Sequence, residues 1–162
     1  MRDSQLAVLW AERAIGRVVL AYARAVDTCD FEALRDCFHP DARIHYGEFF
    51  SGGVDEAVDW LQGALPRLQS TLHDFGAPWI DLNLEAGTAS CETYSTNSAR
   101  YPADEKGEVI LNVSGTRYLD RFEQREGVWR ILERRNQAIW ALNGPERPTP
   151  PPPFQLGSPA LR

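Results

Sequence analysis

The stretch Glu108-Val109-Ile110-Leu111-Asn112-Val113-Ser114-Gly115-Thr116-Arg117-Tyr118-Leu119-Asp120-Arg121-Phe122, a turn at Arg125-Glu126-Gly127, then Val128-Trp129-Arg130-Ile131 decides the fold class. Asn112 and Ser114 alternate with Val109, Leu111 and Val113, the period of two that gives a strand two unlike faces. Two such runs joined by a short turn must pair antiparallel, because parallel neighbours need a long crossover. The same period extends back towards Phe75. It predicts strands over 75–83, 88–101, 108–122 and 128–140, separated by Glu85-Ala86-Gly87, by residues 102–107 and by residues 125–127.

Upstream the period changes. Ile15, Val18, Val19, Tyr22 and Val26 recur at three-and-four spacing, which predicts a helix from Ser4 to Val26. Asp30 is placed to cap a second, short helix carrying Leu34, Cys37 and Phe38, stopped by Pro40. Ala42, Ile44 and Tyr46 alternate with Arg43 and His45 as a first strand. After Ser51-Gly52-Gly53, the positions Val54, Ala57, Val58 and Leu61 read as a helix disturbed near Pro66. The expected class is therefore α+β. Seven of the eleven prolines fall in the last 22 residues, so a folded domain over 1–143 and a proline-rich arm over 144–162 are expected.

A chain of 162 residues suits one domain, and its 43% hydrophobic and 25% charged residues are ordinary for a globular protein. The formal charge of -6 disfavours a nucleic-acid partner, since nonspecific affinity for phosphates comes from Lys and Arg. Arg17 and Arg24 flank or interrupt the longest apolar run, 18–26, far below the roughly 20 apolar residues of a membrane helix. Glu12 and Arg13 break any apolar core of a secretion signal. Cys29, Cys37 and Cys91 make no even framework and no C-x-x-C pair. The expected location is the cytoplasm.

No histidine pair has H-x-H or H-x-x-x-H spacing, so no metal site is expected. Neither a G-x-S-x-G elbow nor a glycine-rich phosphate or dinucleotide loop occurs. Proton chemistry remains, and its candidates are few. His39 precedes Pro40 and reads as a helix C-terminal cap. His45 has the outward strand parity. His73, in Ser70-Thr71-Leu72-His73-Asp74-Phe75, follows a helical segment and opens the first long strand, where a side chain can face a cavity; a purely structural histidine is the alternative. Asp27 closes the first helix and is either a helix-end acid or a second member of such a site.

The phrases Tyr22-Ala23-Arg24-Ala25-Val26-Asp27, Cys37-Phe38-His39-Pro40-Asp41-Ala42, His73, Gly115–Phe122 and Gly127-Val128-Trp129-Arg130-Ile131 together resemble the SnoaL-like proteins of the nuclear-transport-factor-2-like superfamily. The resemblance covers residues 11–140. It implies a cystatin-like α+β barrel: a cone-shaped curved antiparallel, or mixed, sheet wrapped around the N-terminal helices, with a deep apolar pocket on the concave face. Within the superfamily the arrangement is similar to scytalone dehydratase, the bile-acid dehydratases and hexachlorocyclohexane dehydrochlorinase. That similarity makes Asp27 and His73 an acid–base dyad, with Tyr22 and Tyr46 as donors to substrate oxygen. Scytalone dehydratase has a second pocket histidine on a strand; the later strands here have none, which argues against that substrate.

Strand parity proposes the substrate-binding walls: Ile44, Tyr94, Thr96, Asn112, Ser114, Tyr118 and Arg134, with Trp60 and Leu68 as a roof. The function these readings imply is a cofactor-independent lyase, a dehydratase or related eliminase or isomerase, acting on a small hydrophobic cyclic molecule. The alternative is a noncatalytic ligand-binding or assembly subunit, such as a protein like the β subunit of a ring-hydroxylating dioxygenase. Neither reading includes nucleic acid or membrane. Apolar Val113 and Leu119 on the convex sheet face call for a cover, so a homodimer or higher homo-oligomer through that face is expected.

Overall fold

A computed structural model describes residues 2–145. Three helices, α1 (Arg2–Asp27), α2 (Phe31–Asp36) and α3 (Val54–Ala64), accompany seven strands. The strands are β1 (Phe38–Tyr46), β2 (Phe50–Gly52), β3 (Ser70–Phe75), β4 (Trp79–Asn83), β5 (Thr88–Arg100), β6 (Ile110–Arg125) and β7 (Val128–Pro145). A 3-10 turn, Leu65–Arg67, follows α3 where Pro66 intervenes. The α+β class is as expected, and the mixed sheet is curved but not closed. Its order is β2-β1-β7-β6-β5-β3, with β4 paired to β5 as well. Every pair is antiparallel except β1 with β7, which are parallel. The chain between them supplies the long crossover that parallel pairing requires.

α1 buries Ala11, Ile15, Val19, Tyr22 and Val26 as one stripe. A fully buried aliphatic such as Ile15 contributes about 1.5–3 kcal/mol. The helix stops where Cys29 adopts a positive φ of 53° and Thr28 donates both its N–H and its hydroxyl to the Arg24 carbonyl. Asp30 then accepts the Ala33 N–H and starts α2.

Two local expectations are corrected. The second helix ends at Asp36; Cys37 caps it, and Phe38 already begins β1. Pro40 sits inside that strand, at the irregularity in its pairing with β7 between Phe38 and Arg43, because proline has no N–H for the ladder. His39 is therefore no helix cap. It is buried in β1, and its Nε2 donates to the Glu123 carbonyl at 2.9 Å. Residues 75–83 form two strands, not one: Gly76-Ala77-Pro78 breaks the run, and β3 and β4 pair with successive parts of β5. His73 consequently lies within an edge strand and does not open a long one.

One irregularity in the sheet shapes the site. Gly115 pairs with Trp140 while its neighbour Thr116 pairs with Ala138, so Ile139 is an extra residue in β7. Such a bulge reverses which face each later side chain occupies. A side chain at 115 would run into the Trp140 indole, which explains glycine there. The strand β7 extends to Pro145, two residues past the expected domain end, and the rest of the proposed arm lies outside the described residues. Among the described residues no helix is long and apolar enough to cross a membrane.

Candidate active site

α1 and β3 pack against each other, and the contact places the last residue of the helix beside the edge strand. Asp27 Oδ1 accepts from His73 Nδ1 at 2.7 Å and from the Thr71 hydroxyl at 2.9 Å; Oδ2 accepts the His73 backbone N–H at 2.9 Å. Burial by itself raises the Asp27 pKa, but the His73 ring, the His73 N–H and Thr71 outweigh it and hold the carboxyl below its ordinary value. An ionised carboxylate can only accept, so His73 Nδ1 carries the proton and Nε2 is left as the basic nitrogen. Both side chains are mostly buried, 15% exposed for His73 and 20% for Asp27.

His73 lines a cavity of about 480 Å³ between the concave sheet face and the helices. Tyr22 and Tyr46 line it too, and their hydroxyls are 2.9 Å apart. One hydroxyl donates to the other, so one phenolic proton of the pair is left for a third partner. Burial raises both phenols, Tyr22 well above its usual value and Tyr46 to about 12, so both are neutral donors near neutral pH. Trp60, Leu61, Leu65 and Leu68 form the apolar side of the cavity, and Trp60 packs on Tyr46 with ring centres 5.9 Å apart. The sheet forms the polar side through Asn97, Asn112, Ser114, Thr116, Tyr118 and Asn136.

Of the residues singled out from sequence, Tyr22, Tyr46, His73, Trp60, Leu68, Asn112, Ser114 and Tyr118 face this cavity, with Asp27 directly behind His73. Four do not. Ile44 is buried in the core because α3 packs across β1 and covers it. Tyr94 and Thr96 point away: the buried positions of β5 are Ala89, Cys91, Thr93 and Ser95, so the even-numbered residues take the outer face. Tyr94 is 55% exposed there, with the Arg117 guanidinium 5.6 Å from its ring centre. Arg134 lies beneath the cavity wall, fully buried and bidentate to Asp120 at 2.7 and 2.6 Å. Parity puts Arg134 on the inner face, but at the level of the packed aromatic floor.

Sequence reasoning missed Thr71, Asn97 and Asn136. Thr71 stands two residues before His73, and the period of two could have found it. Asn97 was hidden because 93–98 carries a polar or half-polar side chain at every position, which leaves parity undefined. Asn136 and Ala138 precede the bulge and share the parity of Arg134, which could have found them; Ala141 and Asn143, after it, reach the cavity only because of the extra residue Ile139.

The family model of the SnoaL-like domain matches residues 7–135. Among solved structures, LinA superposes with a TM-score of 0.76 at 20% identity, over 92% of this chain and 99% of that one. The hexachlorocyclohexane dehydrochlorinase LinA-type3 from Novosphingobium barchaimii LL02 gives 0.73 at 18% identity, over 90% and 96%. A protein provisionally assigned as scytalone dehydratase from Novosphingobium aromaticivorans DSM 12444 gives 0.74 at 22% identity, over 91% and 94%. At these identities the likeness is one of fold.

Proposed function

The chain belongs to the SnoaL-like domain family, and on that premise we propose that it is a cofactor-independent lyase, of dehydratase or related eliminase or isomerase type, for a small hydrophobic cyclic molecule. The observation that carries the reading is the 2.7 Å bond from His73 Nδ1 to Asp27 at the wall of a cavity shared with two neutral phenols. His73 Nε2 removes a proton from carbon next to a carbonyl. The imidazolium so formed is held by the Asp27 carboxylate, and the Tyr22–Tyr46 pair donates to the carbonyl oxygen as it gains charge. For a β-hydroxy substrate the C–O bond then breaks, a C=C bond forms, and the imidazolium proton leaves with the hydroxyl as water. His73 is neutral again.

One observation favours the rival, a noncatalytic binding or assembly subunit. Asp27 also takes the Thr71 hydroxyl and the His73 N–H, so it could serve only to tie an edge strand to α1. The two readings separate without knowledge of the leaving group. In D2O a working base exchanges the α-hydrogens of a cyclic ketone, followed by proton NMR on cyclohexanone, 1-tetralone and a 3-ketosteroid. The lyase reading expects exchange above buffer that falls by about 10²-fold or more in His73→Ala. Wild-type rates equal to those of His73→Ala for every ring ketone would hand the lead to the binding subunit.

A further inference from the structure

The Asp27 carboxylate is poorly placed for an anion. It belongs to the last residue of the 26-residue helix α1, the end at which the backbone dipole is negative, and it is mostly buried. Both conditions favour the protonated acid. Arg24, the cation of that last turn, is exposed and lies 4.0 Å from Asp30. Asp74 of β3 is exposed on the face opposite to His73, and Arg100 of β5 is bonded to Gln69. The other titratable groups lining the cavity are phenols, Tyr22, Tyr46, Tyr101 and Tyr118. Three donors therefore hold the carboxylate ionised, and one of them is independent of the base: His73 supplies its ring and its own backbone N–H, and Thr71 supplies a hydroxyl. The Thr71 hydroxyl lands at 2.9 Å on Oδ1, the same oxygen that His73 Nδ1 reaches at 2.7 Å. A donor on that oxygen draws off part of the charge that would attract an imidazolium, so the carboxylate holds the protonated ring less tightly.

We propose that Thr71 is a positioning residue that sets the base strength of His73: its hydroxyl occupies the carboxylate oxygen the ring uses and so weakens the pull of Asp27 on the imidazolium. The proposal rests on the acid–base reading of this site and deepens it by naming what tunes the base. The alternation of β3 turns Thr71 to the cavity side together with His73, but its single proton goes to Asp27, so Thr71 is no donor to substrate. Branching at Cβ restricts χ1 and keeps the hydroxyl aimed at the carboxylate. A bond that only ties β3 to α1 would contribute to stability and leave the titration of the ring unchanged.

The test reads the ring directly and needs no substrate. Proton NMR of the full chain follows the His73 ring C–H through a pH titration, the signal being assigned by its absence in His73→Ala. Thr71→Val removes the hydroxyl and keeps nearly the same shape. The ring titration is expected to move up by about one pH unit, a tenfold change in the protonation equilibrium, while Thr71→Ser, which keeps the donor, stays within about 0.3 unit of wild type. In the α-exchange assay the acid limb of the rate profile should move with it. If Thr71→Val does not fold, Thr71→Ala carries the same expectation. A titration that is unmoved or lowered without the hydroxyl, or raised equally in Thr71→Ser, overturns the proposal. A titration that moves as expected in a chain without α-exchange supports the control of His73 by Thr71 and counts against the lyase reading alone, so the two failures remain distinguishable.

Discussion

The guanidinium of Arg134 lies 3.8 Å from the ring centre of Tyr22, while its Nε and Nη2 hold the two carboxylate oxygens of Asp120. Tyr118 and Phe38 flank the same cation, at 4.9 and 5.7 Å. The phenol that faces the cavity is therefore supported from below by a charge pair with no exposure to solvent. Burial alone would lower the Arg134 pKa, but Asp120 overrides it and keeps the group charged.

Removing one partner should cost much more than removing both. Asp120→Asn strands a buried cation and is expected to destabilise the fold by about 3–5 kcal/mol, whereas Asp120→Leu with Arg134→Met should lie closer to wild type. Urea midpoints of the two single variants and the double variant measure this. A double variant no more stable than the singles would mean that the pair contributes through packing on the aromatics, not through charge compensation.

Asp27 carries a pH signature. Its folded pKa lies below the ordinary carboxylate value, so the stability it contributes is present above the unfolded pKa, near about 4, and is lost as pH falls through the folded value. Wild type should thus exceed Asp27→Asn in urea midpoint at neutral pH, and the gap should close on acidification below about pH 4. A gap constant from neutral pH down to pH 3 would show that the carboxylate's charge contributes nothing at this site.

Tyr22→Phe and Tyr46→Phe should each lower the α-exchange rate by about 10²-fold, the size expected for one lost oxyanion donor. Because the two hydroxyls are bonded to each other, the double variant should be little worse than the single ones. Additive losses would mean that each tyrosine reaches the substrate separately.

The outer sheet face carries exposed Trp79, Tyr94, Trp140 and Leu142 beside the half-buried Val113 and Leu119. Light scattering of the full chain at micromolar concentration should give a dimer or larger assembly, and Leu119→Arg should shift it to monomer. A monomeric wild-type chain removes the convex face as an assembly surface.

Which half is helix and which is strand could be read directly, because Ile15, Val19, Tyr22 and Val26 repeat every three or four residues while 108–122 repeats every two. The N-cap at Asp30 and the hairpin glycines Gly87 and Gly127, both at positive φ, were equally local and equally legible. The end of α2 was not, because Phe38 and Ile131 are paired across β1 and β7, and that pairing takes Cys37 and Phe38 out of the helix.

The sequence by itself determined the α+β class, the family resemblance and the short roster of residues able to move a proton, since each follows from residue type and local period. Only the tertiary structure decided which of them meet. The Asp27 carboxylate closes on His73 because the end of α1 packs against an edge strand 46 positions away. The turning of Tyr94 outwards and Asn97 inwards depends on the small buried side chains Thr93 and Ser95, and the inward reach of Asn143 depends on one extra residue at Ile139. Facing in a strand has a period of two and no intrinsic sign. Where neighbouring side chains are alike in polarity, packing across the sheet supplies the sign.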